Sequence, residues 1–144
     1  MIKLGIILNL TLIILAGVWV WNNRVESNQV PRSQIQQKQF TKQSDDQGEI
    51  IVGVMPVSLE SGKEVKFEVI IDTHSKELDF DLLKLAVLND GEGNSLKPLS
   101  WNGGSGGHHL KGELIFPKIS GGTKAVKLTI AAIEGIDRKF KWNL

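Results

Sequence analysis

The chain has 144 residues, of which 17 are basic and 16 acidic, and it contains no cysteine. This length allows one ordinary domain and some additional chain. The near balance of charge, without a run of three basic residues, gives no reason to expect nucleic acid as a partner. The lack of cysteine excludes disulfides, thiolate metal ligands and a cysteine nucleophile.

The first residues predict a membrane anchor. Residues 4–21 read LGIILNLTLIILAGVWVW and carry no charge, and a helix needs ~20 such residues to cross a bilayer. Lys3 precedes this run, so the positive-inside tendency places the N-terminus in the cytoplasm and the rest of the chain outside. The alternative is a cleaved signal peptide, but the run ends in two tryptophans, and only Ala16-Gly17 offers a weak cleavage site. We therefore expect residues 1–21 to anchor a single-pass protein of the cell membrane.

The following residues, 22–48, predict a disordered tether. They contain seven glutamines, scattered charges and few apolar side chains, so they cannot bury enough surface to offset the entropy of ordering. A short helix over residues 33–42 is the alternative. The folded domain is then expected to span residues 49–144.

The domain has the pattern of β-strands. Apolar residues alternate with polar ones, and turn sequences such as NDGEGN separate the runs. We expect seven strands, at residues 49–57, 64–72, 82–88, 96–101, 110–117, 124–133 and 138–144. This number and spacing predict an all-β fold, a seven-stranded immunoglobulin-like sandwich, with a small β-barrel as the alternative.

Three histidines are the candidate metal ligands. If successive strands run in opposite directions, the links after the second, fourth and sixth strands lie at the same end of the domain. His74, His108 and His109 would then gather there with Asp72 and Asp81, as a site for Zn²⁺ or Cu²⁺. Adjacent histidines on an extended segment point to opposite faces, so the alternative is that these imidazoles are structural and bind loop backbone groups.

Two other residues, Asp79 and Trp101, are candidate binding groups. Asp79 and Asp81, in the sequence DFD, could supply oxygen ligands to calcium, although the spacing of a known calcium loop is missing. The alternative is that Phe80 fills the end of the domain while both aspartates face water. Trp101 could stack a ligand, or it could belong to the core.

Catalysis is not predicted. Ser75 lies beside His74, and Ser105 lies near His108. However, the sequence has no nucleophile elbow and no third group that would orient a base. We expect the protein not to be an enzyme.

Three stretches carry a resemblance to other proteins: DTHSKELDFDL from Asp72, LSWNGGSGGHHLKGELIFP from Leu99, and the closing RKFKWNL. Through them, residues 50–144 resemble a group of small prokaryotic domains that are exported behind a signal peptide or an anchor helix. No activity is assigned to this group. The resemblance implies that six residues belong to its signature: Asp72, His74, Asp81, Trp101, His108 and His109.

Taken together, these patterns predict a membrane-anchored extracytoplasmic domain that binds or senses a divalent metal. The alternative is a non-catalytic module for a protein or envelope partner, in which the histidines are structural. In both cases the membrane is a partner through the N-terminal helix.

Overall fold

The computed structural model describes residues 39–144, and these residues form a mostly β structure. Within this range there are nine strands and one short helix. In chain order they are β1 Gln43–Asp45, β2 Ile50–Ser58, β3 Glu64–Thr73, α1 Leu82–Leu85, β4 Ala86–Asn89, β5 Ser95–Leu96, β6 Ser100–Trp101, β7 His109–Lys118, β8 Ala125–Ile133 and β9 Ile136–Asn143.

The strands form two antiparallel sheets. Sheet A has the order β1-β2-β3-β7-β6, and sheet B has the order β5-β4-β8-β9. Neither sheet closes on itself, so the fold is all-β with two open sheets and not a closed barrel. The predicted all-β class is therefore confirmed.

The two sheets share one hydrophobic core. In β3, every second residue from Val65 to Ile71 is fully buried, while the residues between them are half-exposed. The Phe67 ring of sheet A lies 5.1 Å, centroid to centroid, from the Trp142 ring of sheet B. Burying one such ring contributes about 2–3 kcal/mol. The alternating apolar residues of the sequence therefore stabilise the packing of the two sheets against each other.

Two predicted strands differ from the structure. The third, 82–88, begins as helix α1, because the Asp81 side chain accepts a hydrogen bond from the N–H of Leu83 and caps a helical turn. The fourth, 96–101, is two short strands in different sheets: β5 pairs with β4, and β6 pairs with β7. Pro98 lies between them and has no N–H to donate to a ladder.

The predicted tether also differs where it overlaps the described residues. Gln43–Asp45 forms strand β1 and pairs with β2 from Val54 to Val52. The ordered domain therefore begins before residue 49. Composition did not indicate this, because partners distant in sequence hold β1 in place.

Residues 41–47, here called the N-terminal strap, connect the two sheets. The Gln43 side chain donates to the carbonyl of Lys141 at 2.6 Å and accepts from its N–H at 3.2 Å, so it continues the ladder beside β9. The indole N–H of Trp142 donates to the carbonyl of Thr41 at 3.0 Å.

A buried ion pair strengthens this connection. Arg138 of β9 is fully buried, and its guanidinium donates to Asp45 Oδ1 and to the carbonyl of Gln47. Burial alone would raise the pKa of Asp45, but the hydrogen bonds from Arg138 and Gln47 outweigh it and lower that pKa. The strap thus supplies the counter-charge for a cation inside the domain.

No helix within residues 39–144 is long and apolar enough to span a bilayer. The predicted anchor, residues 1–21, and the predicted tether up to residue 38 lie outside the described residues.

Candidate functional site

The candidate site consists of two loops that lie side by side at one end of the domain. The first, residues 74–81, follows β3, and the second, residues 102–108, precedes β7. The N–H of Thr73 donates to the carbonyl of His108 at 3.0 Å. The N–H of Leu78 donates to the carbonyl of Gly107 at 2.9 Å, and the carbonyl of Leu78 accepts from the N–H of Gly106 at 2.7 Å. We call these two loops the loop pair.

The loop pair is fixed to the core at its centre. The Leu78 side chain is completely buried, while the residues flanking it on both sides are exposed. Gly106 and Gly107 adopt φ of 90° and 77°, which only glycine accepts without strain. The glycines therefore allow the second loop to turn against the first.

His108 and His109 are both bonded through Nδ1. His108 Nδ1 lies 2.8 Å from the carbonyl oxygen of Lys76, and His109 Nδ1 lies 2.8 Å from Asp72 Oδ1. A carbonyl or carboxylate oxygen can only accept, so Nδ1 carries the hydrogen in each ring. The Nε2 atoms remain, and both side chains are exposed.

Asp72 and His109 are direct cross-strand neighbours in sheet A. Their side chains lie on its outer face, 42% and 71% exposed respectively. His74 is at the same end of the domain, because it follows Thr73, but within residues 39–144 its exposed side chain has no hydrogen-bond or ion-pair partner. The structure therefore joins two of the predicted ligands and leaves His74 apart.

The two predicted aspartates of the DFD sequence have different surroundings. The Asp81 carboxylate caps α1 and forms an ion pair with Lys84 at 2.9 Å. The hydrogen bond from Lys84 lowers the pKa of Asp81. Asp79 is exposed, and Phe80 between them is half-buried against the core. Across residues 39–144, no group of three or more histidine, aspartate and glutamate residues is arranged to hold a metal ion.

Trp101 packs against the second loop. Its indole N–H donates to the carbonyl of Gly104 at 2.8 Å, and its ring lies on Gly103, where an added Cβ would be 2.0 Å from the ring. Gly103 in turn lies on Gly112 of β7, where an added Cβ would be 2.4 Å from Gly103. The half-buried indole ring and two glycines thus form one stack at the edge of the core.

Two further residues hold the loop pair, and the sequence did not single them out. Glu77 Oε1 accepts from the N–H of Gly107 at 2.7 Å. Glu49 Oε2 accepts from the Ser75 hydroxyl at 2.5 Å and pairs with Lys76 at 3.3 Å. The bonds from Ser75 and then Lys76 lower the pKa of Glu49. No local sequence pattern indicates either contact, because each joins a side chain to a loop residue that is distant in the sequence.

The third predicted link also reaches this end. The Glu134 carboxylate, in the turn between β8 and β9, accepts from the N–H of Glu49 at 2.9 Å. The convergence of three links at one end, expected from strand direction, is therefore observed. The three links form one hydrogen-bonded loop assembly at this end of the domain.

Comparison with protein-family models, with curated proteins and with solved structures found no match to this chain. The resemblance to small exported prokaryotic domains stays a prediction.

Proposed function

We propose that this chain is a single-pass membrane protein with a cytoplasmic N-terminus and an extracytoplasmic, non-catalytic interaction domain. In this proposal the loop pair is a rigid surface that is presented to a protein partner of the cell envelope. The apolar run at residues 4–21 supports the anchor. The rest of the proposal rests on one observation: the Nδ1 atoms of His108 and His109 each bond to an oxygen of a neighbouring chain segment and so hold these segments together.

We also propose that the domain is a sandwich of the immunoglobulin-like type. Sheet A contains the order β2-β3-β7-β6, and sheet B contains β4-β8-β9. With β1 and β5 left out and the other strands lettered in chain order from β2, these correspond to the ABED and CFG orders of that architecture. Loops at the ends of such sandwiches commonly form binding surfaces.

A non-catalytic role is supported by the hydroxyl of Ser75. It donates to the Glu49 carboxylate, which also pairs with Lys76. The bonds from Ser75 and Lys76 lower the pKa of Glu49, so this carboxylate is a poor base for activating the hydroxyl. Within the described residues the hydroxyl is bonded to Glu49 and not to His74, its neighbour in sequence.

Divalent metal binding is the second candidate. One observation favours it: both imidazoles donate Nδ1–H to an oxygen and leave Nε2 exposed, which is how metal-binding histidines are commonly oriented. Zn²⁺ or Cu²⁺ would suit such nitrogens, while Asp72, bonded to the other nitrogen of the His109 ring, would orient that ring.

Unfolding of the full chain in nanodiscs separates the two candidates. With a chelator present, we expect His108→Ala to lower the free energy of unfolding by about 1 kcal/mol and His74→Ala, the matched control, to leave it unchanged. Added Zn²⁺ or Cu²⁺ should not stabilise the wild type. Two results together would show that the histidines are ligands and that the structural role is wrong. Metal would stabilise the wild type but not the His108→Ala and His109→Ala variants, and with the chelator present these variants would have the same free energy of unfolding as the wild type.

A photo-crosslinker at Ser105 tests the presented surface in intact cells. We expect a crosslinked envelope protein from Ser105, in the second loop, and none from Ser120, in the link at the opposite end of β7. Equal crosslinking at both positions would contradict the proposal.

A further inference from the structure

The outer face of sheet B carries lysines that have no acidic partner. Three lysines of this face are exposed: Lys127 of β8, and Lys139 and Lys141 of β9. The alternate residues of β9 are buried, namely Arg138, Phe140 and Trp142. Within residues 39–144, none of these three lysines forms an ion pair. We call them the lysine face.

Their register brings like charges together. Lys127 and Lys141 are direct cross-strand partners, and Lys139 lies opposite Thr129 in the next outward row. Like charges directly opposite one another destabilise a sheet. The single acid at an outward position of β9, Asp137, accepts from the N–H of Ala132 in the adjacent turn. The fold therefore holds three positive charges together without neutralising them.

The outer face of sheet A is different. Lys111 pairs with Glu68 at 3.0 Å, and His109 pairs with Asp72 at 2.8 Å. Lys111 and His109 thus have acidic partners on the domain itself. Net charge conceals this contrast, since the whole chain is only +1.

The N-terminal strap lies beside the lysine face. The strap carries Gln43, whose side chain is bonded to both backbone groups of Lys141. Residues 22–38 separate the apolar run from the first described residue, and a chain of that length spans at most ~60 Å. Such a connection keeps the lysine face close to the membrane, so that even a weak attraction between them acts at a high effective concentration.

We propose that the lysine face docks on a bilayer surface rich in anionic lipid, in the same membrane that holds the N-terminal segment. This inference rests on the membrane anchoring in the proposed function. Side chains of small or neutral residues, Ala125, Thr129 and Asn143, surround the lysines on the outward side of the sheet. A planar surface can therefore approach the sheet. Each lysine near an anionic bilayer strengthens binding about fivefold, so three give about 100-fold.

Lysine reactivity in the full chain tests this docking. The chain is reconstituted in nanodiscs of phosphatidylcholine alone and in nanodiscs with about 30% phosphatidylglycerol, and each amine is acetylated and quantified by mass spectrometry. We expect labelling of Lys127, Lys139 and Lys141 to fall about fivefold or more with the anionic lipid. Labelling of Lys111 and Lys118, the matched controls on β7, should not change. Salt should restore the reactivity of the lysine face.

A charge-matched pair of variants strengthens the test. Lys139→Gln should reduce the protection of Lys127 and Lys141, whereas Lys111→Gln should leave it intact. Equal labelling of the lysine face in both lipids, in a chain that is incorporated, would overturn docking and leave the proposed anchor standing. A chain that does not incorporate into nanodiscs would overturn both. Protection that requires an added acidic polysaccharide and not anionic lipid would assign the face to a polymer and overturn the bilayer proposal.

Discussion

The N-terminal strap and the loop pair are both polar segments attached to the same core, but they are attached in different ways. The strap pairs with β2 through its backbone, but its attachment to sheet B depends on a few side chains, above all the ion pair between Asp45 and the fully buried Arg138. The loop pair depends on backbone hydrogen bonds that are distributed from Thr73 to Leu78. We conclude that one substitution can release the strap from sheet B, whereas the loop pair should tolerate the loss of most single side chains.

The largest expected effect is at the strap. Asp45→Ala removes the carboxylate partner of a buried cation, and breaking such a pair typically costs about 3–5 kcal/mol of unfolding free energy. Chemical unfolding of the full chain measures this cost. Asp46→Ala, a neighbouring exposed aspartate, is the control and should have little effect. If the two variants lose the same stability, the strap is not held by the ion pair.

A smaller but substantial effect is expected where the loop pair meets the core. Gly112→Ala would place a Cβ 2.4 Å from the backbone of Gly103, and overpacking of this kind costs about 1–3 kcal/mol. Gly121→Ala, where nothing lies within 4 Å, should be neutral. Trp101 fluorescence should change in the first variant only, because its ring rests on Gly103. An unaltered Gly112→Ala protein would show that the stack is not tightly packed.

Acid should weaken the attachment of the strap. The pKa of Asp45 is lowered in the folded state, so its contribution is complete above the ordinary carboxyl pKa of about 4 and is lost as the pH falls below it. Unfolding free energy measured against pH should therefore decline less steeply in Asp45→Asn than in the wild type. Asp46→Asn should follow the wild-type curve, and parallel curves for all three proteins would contradict this assignment.

The smallest effect is expected for a single side chain of the loop pair. Glu77→Ala removes one hydrogen bond to Gly107, and the net cost of such a bond is about 0.5–1 kcal/mol. Asp79→Ala in the same loop should cost less, since Asp79 is exposed and has no partner within the described residues. Hydrogen exchange of the Gly107 amide should increase only in Glu77→Ala. A loss as large as that of Asp45→Ala would mean that the loop pair also depends on one contact.

The sequence predicted the regular parts of this molecule well. Alternation from Val65 to Ile71 and from Val126 to Ile130 identified two central strands, because burial on one face selects apolar residues at every second position. Strand direction then placed three links at one end. These predictions rest on periodicity, which is a local property of the chain.

Contacts between distant residues could not be predicted in this way. β1 has no apolar pattern, and its order comes from Arg138 and Lys141. Arg138 did carry a signal, since it falls in phase with the buried Phe140 and Trp142. An arginine at an inward position requires a carboxylate, but the sequence does not indicate which of the 16 acidic residues supplies it.

The lysine face was overlooked for a related reason. Lys139 and Lys141 are spaced by two, and Lys127 lies on another strand, so no run of basic residues is visible. Only the register between β8 and β9 places Lys127 against Lys141. Basic residues that are spread along the sequence can therefore lie together on one face of a sheet.

The central claim is that the imidazoles of His108 and His109 are structural and bond neighbouring chain segments. The tautomers of these two rings test it most directly. Long-range ¹⁵N–¹H correlation spectra of the chelator-treated protein, recorded about two pH units above the ordinary histidine pKa of about 6.5, report which nitrogen of each neutral ring is protonated. We predict the hydrogen on Nδ1 of both rings, donated to Lys76 and Asp72 respectively, with His74 showing no such fixed preference. Protonation of Nε2 in His108 and His109 would contradict the structural role of these histidines.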